Sequence, residues 1–422
     1  MEAHVTSVRT FKEVEKQAEP KAAGPAWLLG PALVAGVAYL DPGNVAVNMS
    51  AGAQFGYLLV WVLVVANVAA WLVQYMSAKL GLATGRSMAE LLGQRIQTRT
   101  GRLLYGLQAQ FVAIATDIAE IIGGAVALWI LFDVPLVAGA IITGAVSTVL
   151  LLVQSERGAK AFEFSIIALM AVIVIGFCYG LFLEPPAAVD VVGGLVPRFD
   201  GAQSVLLAAS IMGATVMPHA IYAHSSLARD RFGTSDLPPR RLIRATRTDV
   251  TIALGIAGSV NLVMLLVAAT VLPGVPGTDS LEGAHLAIQE ALGKAAGFMF
   301  AVALLASGLA STAVGAYAGS DIMGGLFRTR LSLLTRRLLT MIPAVLVLAG
   351  GVDPTFALVL SQVVLSFGIP FAVVPLVWLT SRRELMGAYL NRRALTIAGW
   401  LVAGGIVALN VALLAMEFGL VG

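Results

Sequence analysis

Long apolar runs alternate along the chain with short polar segments dense in arginine, a pattern that predicts a bundle of membrane-spanning helices. A helix needs about 20 predominantly apolar residues to cross the hydrocarbon core. Runs of that order fall at 27–49, 56–78, 104–131, 134–154, 163–183, 203–227, 249–273, 295–323, 338–352, 355–380 and 395–418, which makes eleven predicted spans. The ninth is short, and an earlier start for the eighth, near His285, fits the pattern as well. Two runs are interrupted: the first by Asp41-Pro42-Gly43-Asn44, the sixth by Pro218 within Met217-Pro218-His219. Asp-Pro-Gly-Asn is ordinary turn chemistry. The apolar stretch upstream of it is too short to cross alone, however, so 27–49 reads as one broken span.

The basic residues test this count independently, because Lys and Arg concentrate in cytoplasmic loops. With the N-terminus inside, 25 of the 27 Lys and Arg fall on the cytoplasmic side, leaving only Arg198 and Lys294 outside. Residues 1–26 are then a cytoplasmic tail, and an odd number of spans puts the C-terminus outside. Five spans begin at the first break (27–184) and five at the second (203–380), with 395–418 appended. Five is odd, so the two units cross in opposite senses and form inverted repeats. Interruptions at matching places in two halves point to a transporter's binding site.

Composition narrows the class. Of the 422 residues 58% are hydrophobic and 12% charged, against about 25% charged in soluble domains. The expectation is an all-α, multi-pass integral membrane protein whose solvent is the lipid bilayer. The sole cysteine, Cys178, excludes an internal disulfide. The polar first 25 residues lack the apolar core of a cleavable signal peptide. Nucleic-acid motifs are absent. No His-Glu-x-x-His or comparable ligand cluster supports an intramembrane metalloenzyme, and the chain has only four histidines. We expect neither an enzyme nor a resident cofactor.

The breaks carry the candidate chemistry. Pro218 lacks an N–H and its ring excludes a normal helical partner, so carbonyls near Ala214 and Thr215 lose their donors. In lipid these must be re-satisfied, and a bound cation can do so. Met217 adds a soft thioether, while Asp41 and Asn44 offer hard oxygens. That mixture favours first-row transition ions over Mg²⁺ or Ca²⁺. The carboxylates expected deep inside spans are Asp41, Asp117 and Glu120, with no Lys or Arg among them. A purely acidic interior implies a cationic substrate or protons. Asp117 and Glu120 are spaced i,i+3 on one helix face, and two carboxylates that close do not both ionise easily, which suits a proton relay. His219 is placed to carry protons between Asp41 and that pair. Small residues at four-residue intervals in the eighth span (Ser307, Ser311, Gly315, Gly319) predict close helix packing rather than a site. Asn67, Asn261 and Gln362 are expected to hydrogen-bond between helices or to complete a metal shell.

Asp41-Pro42-Gly43-Asn44 with Met217-Pro218-His219 resembles the signature pair of the Nramp (natural resistance-associated macrophage protein) metal transporters. Thr116-Asp117-Ile118-Ala119-Glu120 and Ala306-Ser307-Gly308-Leu309-Ala310-Ser311-Thr312 fit the same family, and the resemblance covers essentially the whole chain. It implies a LeuT-like inverted-repeat fold with helices 1 and 6 broken, and proton-coupled uptake of Mn²⁺ or Fe²⁺ across the plasma membrane by a monomer. It implies metal ligation by Asp41, Asn44, Met217 and the Ala214 carbonyl, with Gln362 and Thr215 approaching the metal in some states. It also implies proton transfer through Asp41, His219, Asp117 and Glu120 and a basic residue of the ninth span, Arg337. Gln110 and Leu309 depart from the pattern, where some members have Glu and many have Gln. Two other readings of the same fold stay open: a Na⁺/amino-acid symporter, and a Mg²⁺ transporter or cation channel.

Overall fold

A computed structural model of the chain describes residues 30–157, 159–232, 237, 239–329 and 333–418. The tail 1–26 and the start of the first predicted span lie outside these residues. Among the described residues all regular structure is helical. The first span is α1 (Pro31–Val37), continued by a 3₁₀ turn at Ala38–Leu40, followed after Asp41 by α2 (Pro42–Phe55). Next come α3 (Val60–Thr84), the short surface helix α4 (Met88–Arg95), α5 (Arg99–Phe132), α6 (Leu136–Arg157), α7 (Ala159–Leu183) and the loop helix α8 (Ala188–Gly193). The sixth span is again two pieces, α9 (Gly201–Thr215) and α10 (Pro218–Phe232). Then follow α11 (Pro239–Val271), α12 (Leu281–Leu292), α13 (Lys294–Ile322) and, after a π turn at Met323–Phe327, α14 (Leu333–Ala349). The chain ends in α15 (Pro354–Thr380), the single turn α16 (Arg383–Met386) and α17 (Arg393–Glu417).

Eight helical segments are long and apolar enough to cross a membrane, and three shorter apolar stretches, Pro31–Leu40, Leu136–Val149 and Leu338–Ala349, supply the first, fourth and ninth spans. Among the described residues these eleven apolar segments follow the order of the predicted spans, with α17 last. The eighth does not reach back to His285. Gly293, at φ 94°, ends α12 and starts a new helix at Lys294, so His285 belongs to a separate loop helix.

Burial ranks the spans. The broken sixth span is the axis, with 94% of its apolar window buried, whereas α17 has 28% and lies at the periphery. Large apolar side chains such as Phe164, Phe182, Leu401 and Val411 face outward, as expected where lipid is the solvent. Around the axis α2 packs on α9 and α11, α10 on α3, α15 on α9 and α5, and α13 on α5 and α7. Close approach rests on glycines. A Cβ at Gly213 would collide with the Gln362 carbonyl, and one at Gly81 with the Ser225 carbonyl.

Irregular backbone at membrane depth must find partners within the protein. In the first span it does. Asn261 of α11 donates to the Tyr39 carbonyl (2.8 Å), and Ser307 of α13 donates to the Leu40 carbonyl. Ser307, read above as part of a packing stripe, thus also holds the unwound strand. Asn261 and Asn67, which donates to the Gly258 carbonyl (3.3 Å), both bond between helices as expected. The start of α1 is held by the Asp249 carboxylate, which accepts from the Ala32 N–H (2.9 Å) and the Gly30 N–H (3.3 Å). Asp249 is 2% exposed, although it stands at the very start of the seventh predicted span. Lys79 is also buried, donating to Asn391 (2.9 Å).

Interhelical hydrogen bonds in membrane proteins contribute about 0.6–2 kcal/mol. Asn261→Ala and Ser307→Ala should therefore each lower the thermal unfolding midpoint in detergent, and the double variant should lower it further. An unchanged midpoint in the double variant would remove these groups as supports of the first break.

Candidate metal site

The two interruptions meet. Pro42 and Pro218 each occupy the first position of a half-helix, where a missing N–H costs nothing and the fixed φ is already helical. Asp41 is the N-cap of α2: its Oδ1 accepts from the Asn44 N–H at 2.8 Å, satisfying one of the helix's free donors. The positive end of α2 also favours a carboxylate there. On the facing strand, α9 ends at Thr215, Val216 leaves the helical region (φ −103°, ψ 66°), and α10 restarts at Pro218.

Asn44 joins the halves. Its Nδ2 donates to Asp41 Oδ1 (2.8 Å) and, across 170 residues of sequence, to the Ala214 carbonyl (2.7 Å). The carbonyl that Pro218 was expected to orphan is thus met by a side chain of the other break. With both amide protons committed to one side, the Asn44 Oδ1 has no hydrogen-bond partner, and neither has Asp41 Oδ2. Thr215 Oγ1 and Gln362 Oε1 are likewise without one. Gln362, on α15, lies over Gly43: a Cβ there would sit 2.5 Å from the Gln362 Cδ and 2.9 Å from Asp41 Oδ2. Met217 is wholly buried between the half-helices. Asp41, Asn44, Ala214, Thr215, Met217 and Gln362 are each at most 1% exposed, so the cluster is closed at both ends. Buried polar atoms normally find partners. A group of unmatched oxygens, with buried Met217 in the same break as Ala214 and Thr215, has the composition of a cation site.

The predicted proton residues are brought together only in part. His219 Nδ1 lies 3.2 Å from the Thr116 hydroxyl, which itself donates to the Val112 carbonyl (3.1 Å). With that hydroxyl proton committed, Nδ1 carries the imidazole proton, and Nε2 has no partner. His219 is thereby tied to α5 one residue before Asp117, but no hydrogen bond joins it to Asp41 or to Asp117. Asp117 and Glu120 converge on α13: a Cβ at Gly315 would lie 2.9 Å from Asp117 Oδ1 and from Glu120 Oε2. Gly315, assigned above to packing, therefore makes room for the acidic pair. Gln110 lies on the same helix, α5. Arg337 lies in α14, but its side chain is outside the described residues.

A polar chain that the sequence analysis does not single out links three spans close to the first break. His224 Nδ1 bonds Gln74 Oε1 (2.7 Å), and Gln74 Nε2 donates to the Tyr39 hydroxyl. This chain crosses from α10 through α3 to the first span, on the side where the arginines gather. Polar residues inside apolar spans were the available signal for it, but only the fold brings these three together.

The fold and this site together define a multi-pass transporter with two discontinuous helices. MhsT in complex with L-phenylalanine has the same LeuT-type fold (TM-score 0.63, 14% identity, covering 95% of this chain and 99% of that one). A crystal structure of the Eremococcus coleocola manganese transporter is closer, at a TM-score of 0.82 and 30% identity over 95% of this chain and 90% of that one. In sequence, the chain is 58% identical over 390 residues to the divalent metal cation transporter MntH of Mycobacterium tuberculosis, covering 92% of this chain and 91% of that protein. Residues 32–416 match the family described as Nramp, natural resistance-associated macrophage protein-like. The chain belongs to the Nramp family.

Removing the bridge tests the geometry directly. Asn44→Ala leaves the Ala214 carbonyl buried without its donor, and Asp41 Oδ1 with only the backbone N–H of residue 44, at a cost of about 1–3 kcal/mol. A lowered unfolding midpoint and faster amide exchange at both breaks are expected. Faster exchange at one break alone would mean that the halves are not coupled through Asn44.

Proposed function

We propose that the protein imports divalent transition-metal ions, Mn²⁺ and Fe²⁺, together with protons by alternating access across the plasma membrane. The observation that carries this reading is the buried group of donors at the meeting of the breaks, where Asp41 Oδ2 and Asn44 Oδ1 lack hydrogen bonds. In this reading Asp41, Asn44, the Ala214 carbonyl and Met217 bind the ion, and Thr215 and Gln362 join as the half-helices move. Two hard oxygens, a carbonyl and a thioether suit a first-row transition ion, while Mg²⁺ and Ca²⁺ gain nothing from sulfur. Its relatives, a divalent metal cation transporter and a manganese transporter by name, support the substrate class. The charge alternation supports a cytoplasmic N-terminus and places the arginine-rich end of the bundle in the cytoplasm.

For the protons, we assign acceptor roles to Asp41 and His219 and a relay role to Asp117 and Glu120, with Arg337 of α14 as a basic counterpart. His219 Nε2 carries a free lone pair in its assigned tautomer, so it can take a proton without breaking the bond to Thr116. An amino-acid substrate fits less well. Its carboxylate would need the free positive end of a half-helix, and Asp41 already occupies that end of α2.

Protein reconstituted in liposomes should take up Mn²⁺ faster when the outside is made acidic, with acidification of the lumen. Asp41→Ala should reduce uptake to the protein-free background. Uptake that survives this change would overturn the cage assignment. Met217→Ala should keep Mn²⁺ uptake measurable but let Ca²⁺ and Mg²⁺ compete, by about tenfold for each 1.4 kcal/mol of lost discrimination. Unchanged competition would overturn the role of the thioether.

A further inference from the structure

A second acidic site lies at the arginine-rich end of the bundle, apart from the central cluster. A cavity of about 620 Å³ opens there between α4, α10 and the end of α13. Glu90, Asp230 and Asp321 line it together with Arg229, Arg328 and Tyr317. Three carboxylates therefore face two guanidiniums. Arg229 is shared among all three acids, and the sharing is uneven: its distances are 2.8 Å to Glu90, 2.7 Å to Asp230 and 3.8 Å to Asp321. Tyr317 donates to the other oxygen of Asp230 at 2.7 Å. Glu90 also accepts from the Ser87 N–H at 2.8 Å.

Asp321 is the least well paired of the three. Its side chain is only 9% exposed. Its Oδ1 stands 3.8 Å from Arg229, beyond the 2.7–2.9 Å of a charge-assisted hydrogen bond, and its Oδ2 has no hydrogen-bond partner. The Ser87 hydroxyl hydrogen-bonds the carboxyl but brings no charge to it. A buried carboxylate left in this condition is costly unless a cation completes it. The space suits a hydrated ion, since six waters at about 30 Å³ each occupy about 180 Å³.

We propose that this cavity is a divalent-cation site built on Asp321 and Asp230, with Glu90 at its rim. From the preceding reading it takes only that the ion leaving the protein at this end is a divalent cation. Met323 also lines the cavity, but the ligands proposed here, Asp321, Asp230 and Glu90, are all oxygen donors, which do not distinguish Mn²⁺ from Mg²⁺ or Ca²⁺. Partial hydration and a half-open mouth make it a weak site, with a dissociation constant of about 0.1–1 mM by analogy with open oxygen-donor sites. An ion held there takes carboxylate contacts from Arg229, which links α10 to α4 and α13. Occupancy therefore loosens the ion pairs that tie the second break to its surroundings.

The test counts Mn²⁺ by electron paramagnetic resonance on the full chain in lipid nanodiscs. Wild type should bind two classes of Mn²⁺. Asp41→Ala should keep one class, which millimolar Mg²⁺ displaces, and adding Asp321→Asn should abolish it. Asp230→Asn serves as the second variant, because its half-exposed position leaves the fold little affected, and it should weaken the same class several-fold. The proposal is overturned if Asp41→Ala binds no Mn²⁺, or if its remaining Mn²⁺ is indifferent to both Asp321→Asn and Asp230→Asn. Failure of the central assignment looks different: wild type would then hold only the Mg²⁺-displaceable class, and Asp321→Asn alone would remove it.

Discussion

The fold depends on a single amide that closes two broken helices at once. Unwinding a helix in a low-dielectric interior exposes carbonyls and N–H groups that lipid cannot satisfy. Asn44 meets this demand from both sides, holding the cap of α2 through Asp41 and taking up the Ala214 carbonyl of α9. Because both its protons are used, its oxygen is turned away unmatched, next to the second oxygen of Asp41. The same bonds that make the breaks tolerable therefore create the unmatched donors that a cation would complete. Support of the breaks and readiness to bind are one arrangement.

The remaining supports fall on different helices, and this distribution bears on how the site could open. The Tyr39 and Leu40 carbonyls lean on α11 and α13, and the start of α1 leans on Asp249. The Tyr39–Gln74–His224 chain ties the first span to α3 and α10. Arg229, Glu90, Asp230 and Asp321 tie α10 to α4 and α13 beyond it. Swinging α1 and α10 outward would break this second set while leaving the Asn44 bridge and the α13 support of Leu40 to persist longer. Transport by rocking requires such a separation between bonds that exchange and bonds that hold.

Much of the architecture was legible in the sequence because lipid imposes a coarse, one-dimensional code of length and charge. The eleven spans and both breaks were visible on that basis, as was the gathering of Asp41, Asn44 and Ala214. What escaped it was pairing in three dimensions. Ser307 and Gly315 sat in a stripe of small residues that reads as packing, yet one donates to the first break and the other clears space for Asp117 and Glu120. Asp249 is the first residue of a predicted span, and only the fold shows it holding the start of α1. The Gln74–His224 contact joins residues 150 positions apart, with no periodicity to announce it. The separate helix of His285 was hidden because a lone glycine such as Gly293 is also tolerated inside a helix, and only its φ of 94° shows the break.

The central claim is that neither break holds the metal alone. Anomalous diffraction from crystals soaked in Mn²⁺ tests it most directly. The account predicts one strong peak within bonding distance of Asp41 Oδ2, Asn44 Oδ1 and Met217 Sδ, lost in Asp41→Ala and weakened in Met217→Ala. A peak at the first break that ignores Met217, or none between the half-helices while Mn²⁺ is still transported, would contradict it.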